Sequence, residues 1–253
     1  MPIKIYIKET YSFKQKIIKY ISYLSLTLGA ILLFWSAYPV ISFQIYSYLT
    51  LEKKIVSPVP TTNLTASLSF ANYILGASVK LSENPKDFTD ASLWFPSLAK
   101  KVKAQAKKAQ TKKLNIKEYH LSIPKLNIEN ALVKVGGTDL NKSLIHFLPK
   151  SLPGEIGNVA IFGHSTLPQL YKPNNYKSIF TYLHTLEKGD EIYVKVGSLK
   201  YVYEVKEMFV VEPDQIEVLE QATDDSYITL ITCTPPGTYW KRLIVKAKLK
   251  RLP

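Results

Sequence analysis

The chain has 253 residues, a single cysteine, and 33 Lys+Arg against 20 Asp+Glu, a formal net charge of +13. At 46% hydrophobic with only 10 Gly it is neither disordered nor collagen-like. One Cys excludes an intramolecular disulfide, a four-Cys zinc site and a C-x-x-C redox motif. No two of the four His lie within five residues, which excludes an H-E-x-x-H metal helix.

The positive charge is localised. Residues 1–20 carry +4, residues 21–50 no charge, residues 51–99 zero net, residues 100–117 +8, and residues 118–253 only +1. Between Lys19 and Glu52 runs an uncharged segment rich in Ile, Leu, Phe, Trp and Tyr. Residues 21–40 supply the roughly 20 apolar residues that a bilayer crossing needs. Pro39 marks a kink or the end of the regular helix, and Tyr38, Tyr46 and Tyr48 suit an interfacial belt. The run is too long and too aromatic for a cleaved signal peptide. Five Lys precede it and only Lys53 and Lys54 follow closely. The expectation is therefore a single-pass membrane protein with a cytoplasmic N-terminus and everything after residue 51 outside.

Residues 51–117 read as an extracytoplasmic, Lys-rich linker or stalk. Pro58-Val59-Pro60-Thr61-Thr62 is extended linker chemistry, and residues 64–79 have no clear period. Trp94-Phe95-Pro96-Ser97 opens a predicted helix to Lys113, with Leu98, Val102, Ala106 and Ala109 as a weak apolar stripe. Its lysines suit a solvated spacer or adhesion to an anionic membrane or wall polymer. Nucleic acid is not expected outside the cell, and the segment lacks interleaved aromatics.

From Tyr119 the texture changes to short strands separated by turn residues. Strands are predicted at 119–123, 128–135, 158–162, 191–196, 200–210, 227–232 and 243–249. A short helix is expected near 139–144 and helical character at 178–184. Seven or eight short strands argue for an antiparallel or mixed barrel or sandwich.

Three residues carry candidate chemistry. Cys233 ends an apolar run, Tyr227 to Thr232, just before Thr234-Pro235-Pro236-Gly237. An unpaired thiol at a strand end suits a nucleophile, and a buried structural Cys equally well. His164 follows Val159-Ala160-Ile161-Phe162-Gly163, also at a strand end. An imidazolium near Cys233 would favour its thiolate, whereas a lone His is more often structural. Arg242 is one of two arginines in a chain with 31 lysines, and it opens the strand after the Cys233 loop. A guanidinium there can hold a substrate carbonyl or a developing oxyanion, against the ordinary alternative of a surface ion pair. His120, His146 and His184 read as structural or solvated.

Thr229-Leu230-Ile231-Thr232-Cys233 with the downstream Arg242, the upstream Asn158-Val159-Ala160-Ile161-Phe162-Gly163-His164-Ser165, Pro153 to Asn158, and Leu186 to Glu191 resemble the sortases. These are Cys transpeptidases of bacterial cell surfaces. The resemblance spans about residues 118–250. It implies a mainly β fold, a closed eight-stranded barrel with short helices, preceded by the transmembrane helix and stalk. The expected organisation is a basic tail (1–19), an anchor with an interfacial segment (20–50), the linker (51–117) and a catalytic barrel (118–253). By the same resemblance Cys233 attacks the Thr–Gly carbonyl of an LPXTG-like sorting signal on a surface protein. His164 protonates the leaving amine, and Arg242 supports the oxyanion. The Thr234 N–H is a candidate second donor, and Thr232 a candidate contact to the signal. The thioester passes to an amine of a peptidoglycan precursor or a pilin Lys. Alternatives are an endopeptidase with water as acceptor, or a catalytically silent surface-binding barrel.

No cofactor or metal is expected, because Glu129, Glu155 and Asp224-Asp225 are scattered. The nine-residue spacing from Cys233 to Arg242 is like the short-loop groups. No Asp precedes a Pro, so the Asp-Pro-aromatic lid of pilin-polymerising members is absent in its usual form. Asp87-Phe88 and Trp94-Phe95 are the candidates to stand in for it.

Overall fold

Eight strands close a barrel in the computed structural model, which describes residues 13–51, 89–95, 116–147 and 149–250. The expected extended linker at 58–62, the segment 64–79, Asp87-Phe88 and the helix from Ser97 lie outside the described residues. The chain divides into two compact units, Met1–Ser42 and Phe43–Pro253. A single helix, α1 (Phe13–Thr50), runs through Pro39, so that proline does not end it. Its stretch Lys16–Thr50 is long and apolar enough to cross a membrane, and side chains such as Leu24, Leu33 and Phe34 are exposed.

The strands are β1 (Glu118–Ile123), β2 (Ile128–Val135), β3 (Leu144–His146), β4 (Gly157–Phe162), β5 (Glu191–Val196), β6 (Leu199–Val211), β7 (Ser226–Thr234) and β8 (Lys241–Leu249). They close in the order β1-β2-β3-β4-β7-β8-β6-β5. The β2–β3 and β4–β7 pairs are parallel, and the others antiparallel. The sequence pattern explains the layout. In β5, Ile192 and Val194 point inward while their neighbours are more exposed, the period-two signature of a strand with one wet face. Gly197 (φ 58°) and Ser198 turn β5 into β6 with Val196 opposite Leu199, a two-residue hairpin. The apolar runs of β4 and β7 have no such alternation. Both strands are buried along their whole length apart from a half-buried Tyr227, as a parallel pair covered on two faces requires.

Two apolar clusters result. The barrel interior holds Leu121, Val133, Val159, Ile161, Ile228, Leu230 and Val245 among others. The second cluster lies on the opposite face of β4, β7 and β8. It contains Phe162, Ile231, Cys233 and Ile244, and it takes in Ala91, Trp94 and Phe95 from the segment before the barrel.

The expected helix near 139–144 does not form. Asp139 Oδ1 accepts the Asn141 N–H at 3.0 Å, a local turn, and the chain then enters β3. At 178–184 a short 3₁₀ helix, Leu183–Thr185, replaces a longer one, with the half-buried His184 in it. His146 therefore sits on a strand, opposite Val135 and Ile161, with 1% exposure and no partner for Nδ1. Burial lowers its pKa to about 4. A depressed histidine pKa stabilises the fold fully above its ordinary value of 6.5, and that stability is lost as pH falls through about 4. The loss is up to about 3 kcal/mol. His146→Leu is expected to flatten the acid limb of the melting temperature between pH 6.5 and 4. An acid limb equal to that of the parent would contradict this.

Candidate active site

Register brings the three candidate residues together. Cys233 is the second-last residue of β7 and pairs directly with Arg242 at the start of β8. On the other side of β7, the last parallel pair with β4 is Phe162 with Ile231. The Gly163 N–H then donates to Ile231 O at 3.1 Å. Continued two residues, this register sets His164 beside Cys233. Residues paired across neighbouring strands share a face, so Cys233 and Arg242 share one, and the Trp94 ring lies 5.7 Å from the His164 ring and 5.4 Å from the Arg242 guanidinium. All three are buried: Cys233 is 2% exposed, His164 9% and Arg242 1%.

Gly163 is required by a close approach. A Cβ there would lie 2.5 Å from Phe180 Cδ2 and 2.6 Å from Leu144 Cδ2, both on fully buried side chains. Overpacking of that kind costs about 1–3 kcal/mol. Gly163→Ala is thus expected to lower thermal stability by about that amount and to reduce activity further by displacing His164. A variant melting within 1 °C of the parent would refute this.

The sequence 89–95, inside the segment read as a linker, covers this face. Its backbone is pinned to the β2–β3 connection by Ala91 N–H to Thr138 O (2.9 Å) and Leu140 N–H to Thr89 O (3.0 Å). A short turn, Ala91–Leu93, then delivers Trp94 and Phe95, both buried. The Trp94 ring stacks on Phe162 (centroids 5.4 Å, 14° between planes) and lies 5.7 Å from the His164 ring. The Trp94 carbonyl accepts two hydrogen bonds from Arg242, from Nε at 3.2 Å and Nη2 at 2.9 Å. Arg242 Nη1 donates to the carbonyls of Tyr239 (3.0 Å) and Lys241 (3.1 Å). Trp94-Phe95, not a motif with Asp-Pro, joins the buried cluster that contains Cys233.

Electrostatics follow from the cover. Burial pushes the Cys233 thiol pKa up, with the Arg242 charge pulling the other way. Burial, then the charge of Lys177, lowers His164 to about 4, opposed by Asp139. Burial thus favours the neutral thiol and the neutral imidazole. A thiol is a weak nucleophile in that state.

The two threonines on either side of Cys233 alternate to the other face of β7. Thr232 Oγ1 donates to Gly163 O at 2.8 Å. Thr234 Oγ1 is buried without a partner. Sequence reasoning passed over Ser165, whose hydroxyl donates to the Cys233 carbonyl at 2.6 Å. The only sequence signal was its place directly after His164.

Comparison with known proteins gives one family. The sortase domain model matches residues 121–250. Sortase A of Streptococcus agalactiae serotype III (strain NEM316) is 29% identical over 132 residues, covering 52% of this chain and 52% of that protein. Sortase A of Bacillus anthracis is 29% identical over 167 residues, covering 64% and 71%. The chain thus spans from about half to about seven-tenths of the length of these relatives. Among solved structures, a Clostridium perfringens sortase D5 transpeptidase matches with 28% identity and a TM-score of 0.46, covering 63% of this chain and 98% of that one. With the family model spanning just over half of its residues, this chain belongs to the sortase family.

Proposed function

We propose that this chain is a membrane-anchored sortase-type transpeptidase acting on an LPXTG-like sorting signal. The observation that supports the reading is the direct pairing of Cys233 with Arg242, with His164 two residues past the end of β4, the strand that pairs with β7 on its other side. The Cys233 thiolate attacks the Thr–Gly carbonyl of the signal. The carbonyl π electrons move to oxygen, which takes hydrogen bonds from the guanidinium of Arg242. His164 gives its proton to the departing glycyl amine, the C–N bond breaks, and a thioester to Cys233 remains. An incoming amine then loses a proton to His164 and displaces the sulfur, forming a new amide and regenerating the thiolate. Amine outcompetes water only where a groove orients it.

The reading includes the proposed organisation of tail (1–19), anchor (20–50), linker (51–117) and barrel (118–253), with the barrel outside the cell. It also requires the 89–95 segment to lift. Its Trp94 carbonyl uses the two Arg242 donors that a substrate carbonyl needs.

The test is intact-mass spectrometry of the full chain in detergent with a panel of LPXTG-type peptides. The expected result is an adduct on Cys233 equal to the peptide up to Thr, less one water. Added amines, glycine oligomers and an Nε-free lysine peptide, are expected to appear in the product. Cleavage that never incorporates amine would favour a Cys endopeptidase with water as acceptor. No adduct with any peptide, together with no cleavage, would leave a silent barrel and overturn the proposal.

A further inference from the structure

The β4–β7 ladder stops one residue short of the reactive pair. Its final backbone bond is Gly163 N–H to Ile231 O, and no backbone bond beyond it joins His164 to Cys233 among the described residues. Two hydroxyls take over where the ladder ends. Thr232 on β7 reaches back to the Gly163 carbonyl at 2.8 Å, and Ser165 past β4 reaches across to the Cys233 carbonyl at 2.6 Å. The bonds run in opposite directions and bracket His164 and Cys233 between them. The chain beyond Ser165 is tied down as well. The Phe180 N–H donates to the His164 carbonyl at 2.9 Å, and the Thr166 N–H to Thr181 Oγ1 at 3.0 Å.

We propose that Ser165 is a positioning residue for the Cys233–His164 pair: its hydrogen bond to the Cys233 carbonyl holds the chain that carries His164 against β7, in register with Cys233, beyond the end of the β4–β7 ladder. Residues past the last ladder bond fray unless a side chain replaces the missing backbone bond. Cys233 itself is held by its β8 partner Arg242, so the side of the pair that lacks a ladder partner is the chain beyond Gly163 that carries His164. Finally, the peptide between Cys233 and Thr234 is a plane with C=O and N–H opposed. The Thr234 N–H on the other side of that plane faces β8, where Thr234 pairs with Lys241. Of the two bracketing hydroxyls, Ser165 is the informative one, because Thr232 bonds to Gly163 and touches neither reactive residue directly.

The proposal rests on the reading that Cys233 and His164 act as a pair, so two readouts are needed. The first is cleavage of a fluorogenic Leu-Pro-Ala-Thr-Gly peptide by the full chain in detergent. Ser165→Ala is expected to lower kcat about tenfold with KM changed less than twofold, since misalignment of a reacting group costs rate rather than binding. Ser165→Thr, which restores a hydroxyl, is expected to return kcat to within about threefold of the parent. The second readout needs no substrate: the rate of iodoacetamide labelling of Cys233 at pH 7.5 in a Trp94→Ala background. Ser165→Ala is expected to slow it about fivefold, and Ser165→Thr to recover it. A melting-temperature loss of equal size in both variants, with rates following it, would mark Ser165 as merely structural and overturn the proposal. So would an unchanged labelling rate in Ser165→Ala. A parent that labels as expected but cleaves no peptide would instead count against the proposed function.

Discussion

Cys233→Ala is expected to abolish both cleavage of sorting peptides and the covalent adduct, and Arg242→Lys to lower kcat/KM by about a hundredfold or more. The first follows from there being no other thiol in the chain to carry a thioester. The second is the sharper test, because it keeps the positive charge. Arg242 spends four hydrogen bonds in a fixed fork: Nη1 on the carbonyls of Tyr239 and Lys241, Nε and Nη2 together on the Trp94 carbonyl. The first pair locks the guanidinium to its own loop. The second is held by the Trp94 carbonyl and is freed if the 89–95 segment lifts from Arg242, the strand partner of Cys233. An ammonium at this position has one nitrogen and cannot serve the loop carbonyls and an oxyanion at once. Loss of one oxyanion donor costs roughly 10²–10³ in rate. The measurement is kcat/KM with amine present, with circular dichroism melting to confirm that Arg242→Lys still folds. A folded Arg242→Lys variant within fivefold of the parent would remove Arg242 from the chemistry and leave it as a structural clamp.

Much of this arrangement was legible in the sequence, for reasons that are particular. The strand ends that carry Cys233 and His164 were readable because β4 and β7 are apolar without alternation and are stopped by Gly163 and by Thr234-Pro235. Arg242 stood out by rarity, one of two in a lysine-rich chain. The sequence could not supply the register that sets the three side by side, because parallel pairing of β4 with β7 joins residues about 70 apart in the chain. The missing strand, β3, has only three residues and sits between a parallel and an antiparallel neighbour. No periodicity can be read from three residues, and the stretch 139–144 reads as a short helix where Asp139 in fact closes a local turn. Trp94-Phe95 was visible as an aromatic pair. Its contact with Arg242 spans 148 residues and is made through a backbone carbonyl, a group that every residue owns and no pattern marks.

That contact leads to the second expectation: Trp94→Ala should raise the iodoacetamide labelling rate of Cys233 by about ten- to a hundredfold at pH 7.5. Trp94 is fully buried, stacked on Phe162 and tilted against His164. Truncating a buried Trp costs about 3–5 kcal/mol where the site cannot collapse. Here part of that cost falls on the closed position of the 89–95 segment alone, since Trp94 lies on that segment and not in the barrel interior. Each 1.4 kcal/mol lost from the closed position raises the open fraction tenfold. The backbone bonds at Thr138 and Leu140 remain, which keeps the gain below the full value. Opening also changes the chemistry. Burial now holds the Cys233 thiol pKa up and His164 down. With water admitted, the thiol pKa falls and the imidazole pKa rises, both toward the ion pair that reacts. The labelling profile of Trp94→Ala should therefore extend to lower pH than that of the parent. If the variant labels at the parent's rate and pH profile, the segment is not the barrier to Cys233, and the neutral pair has another cause.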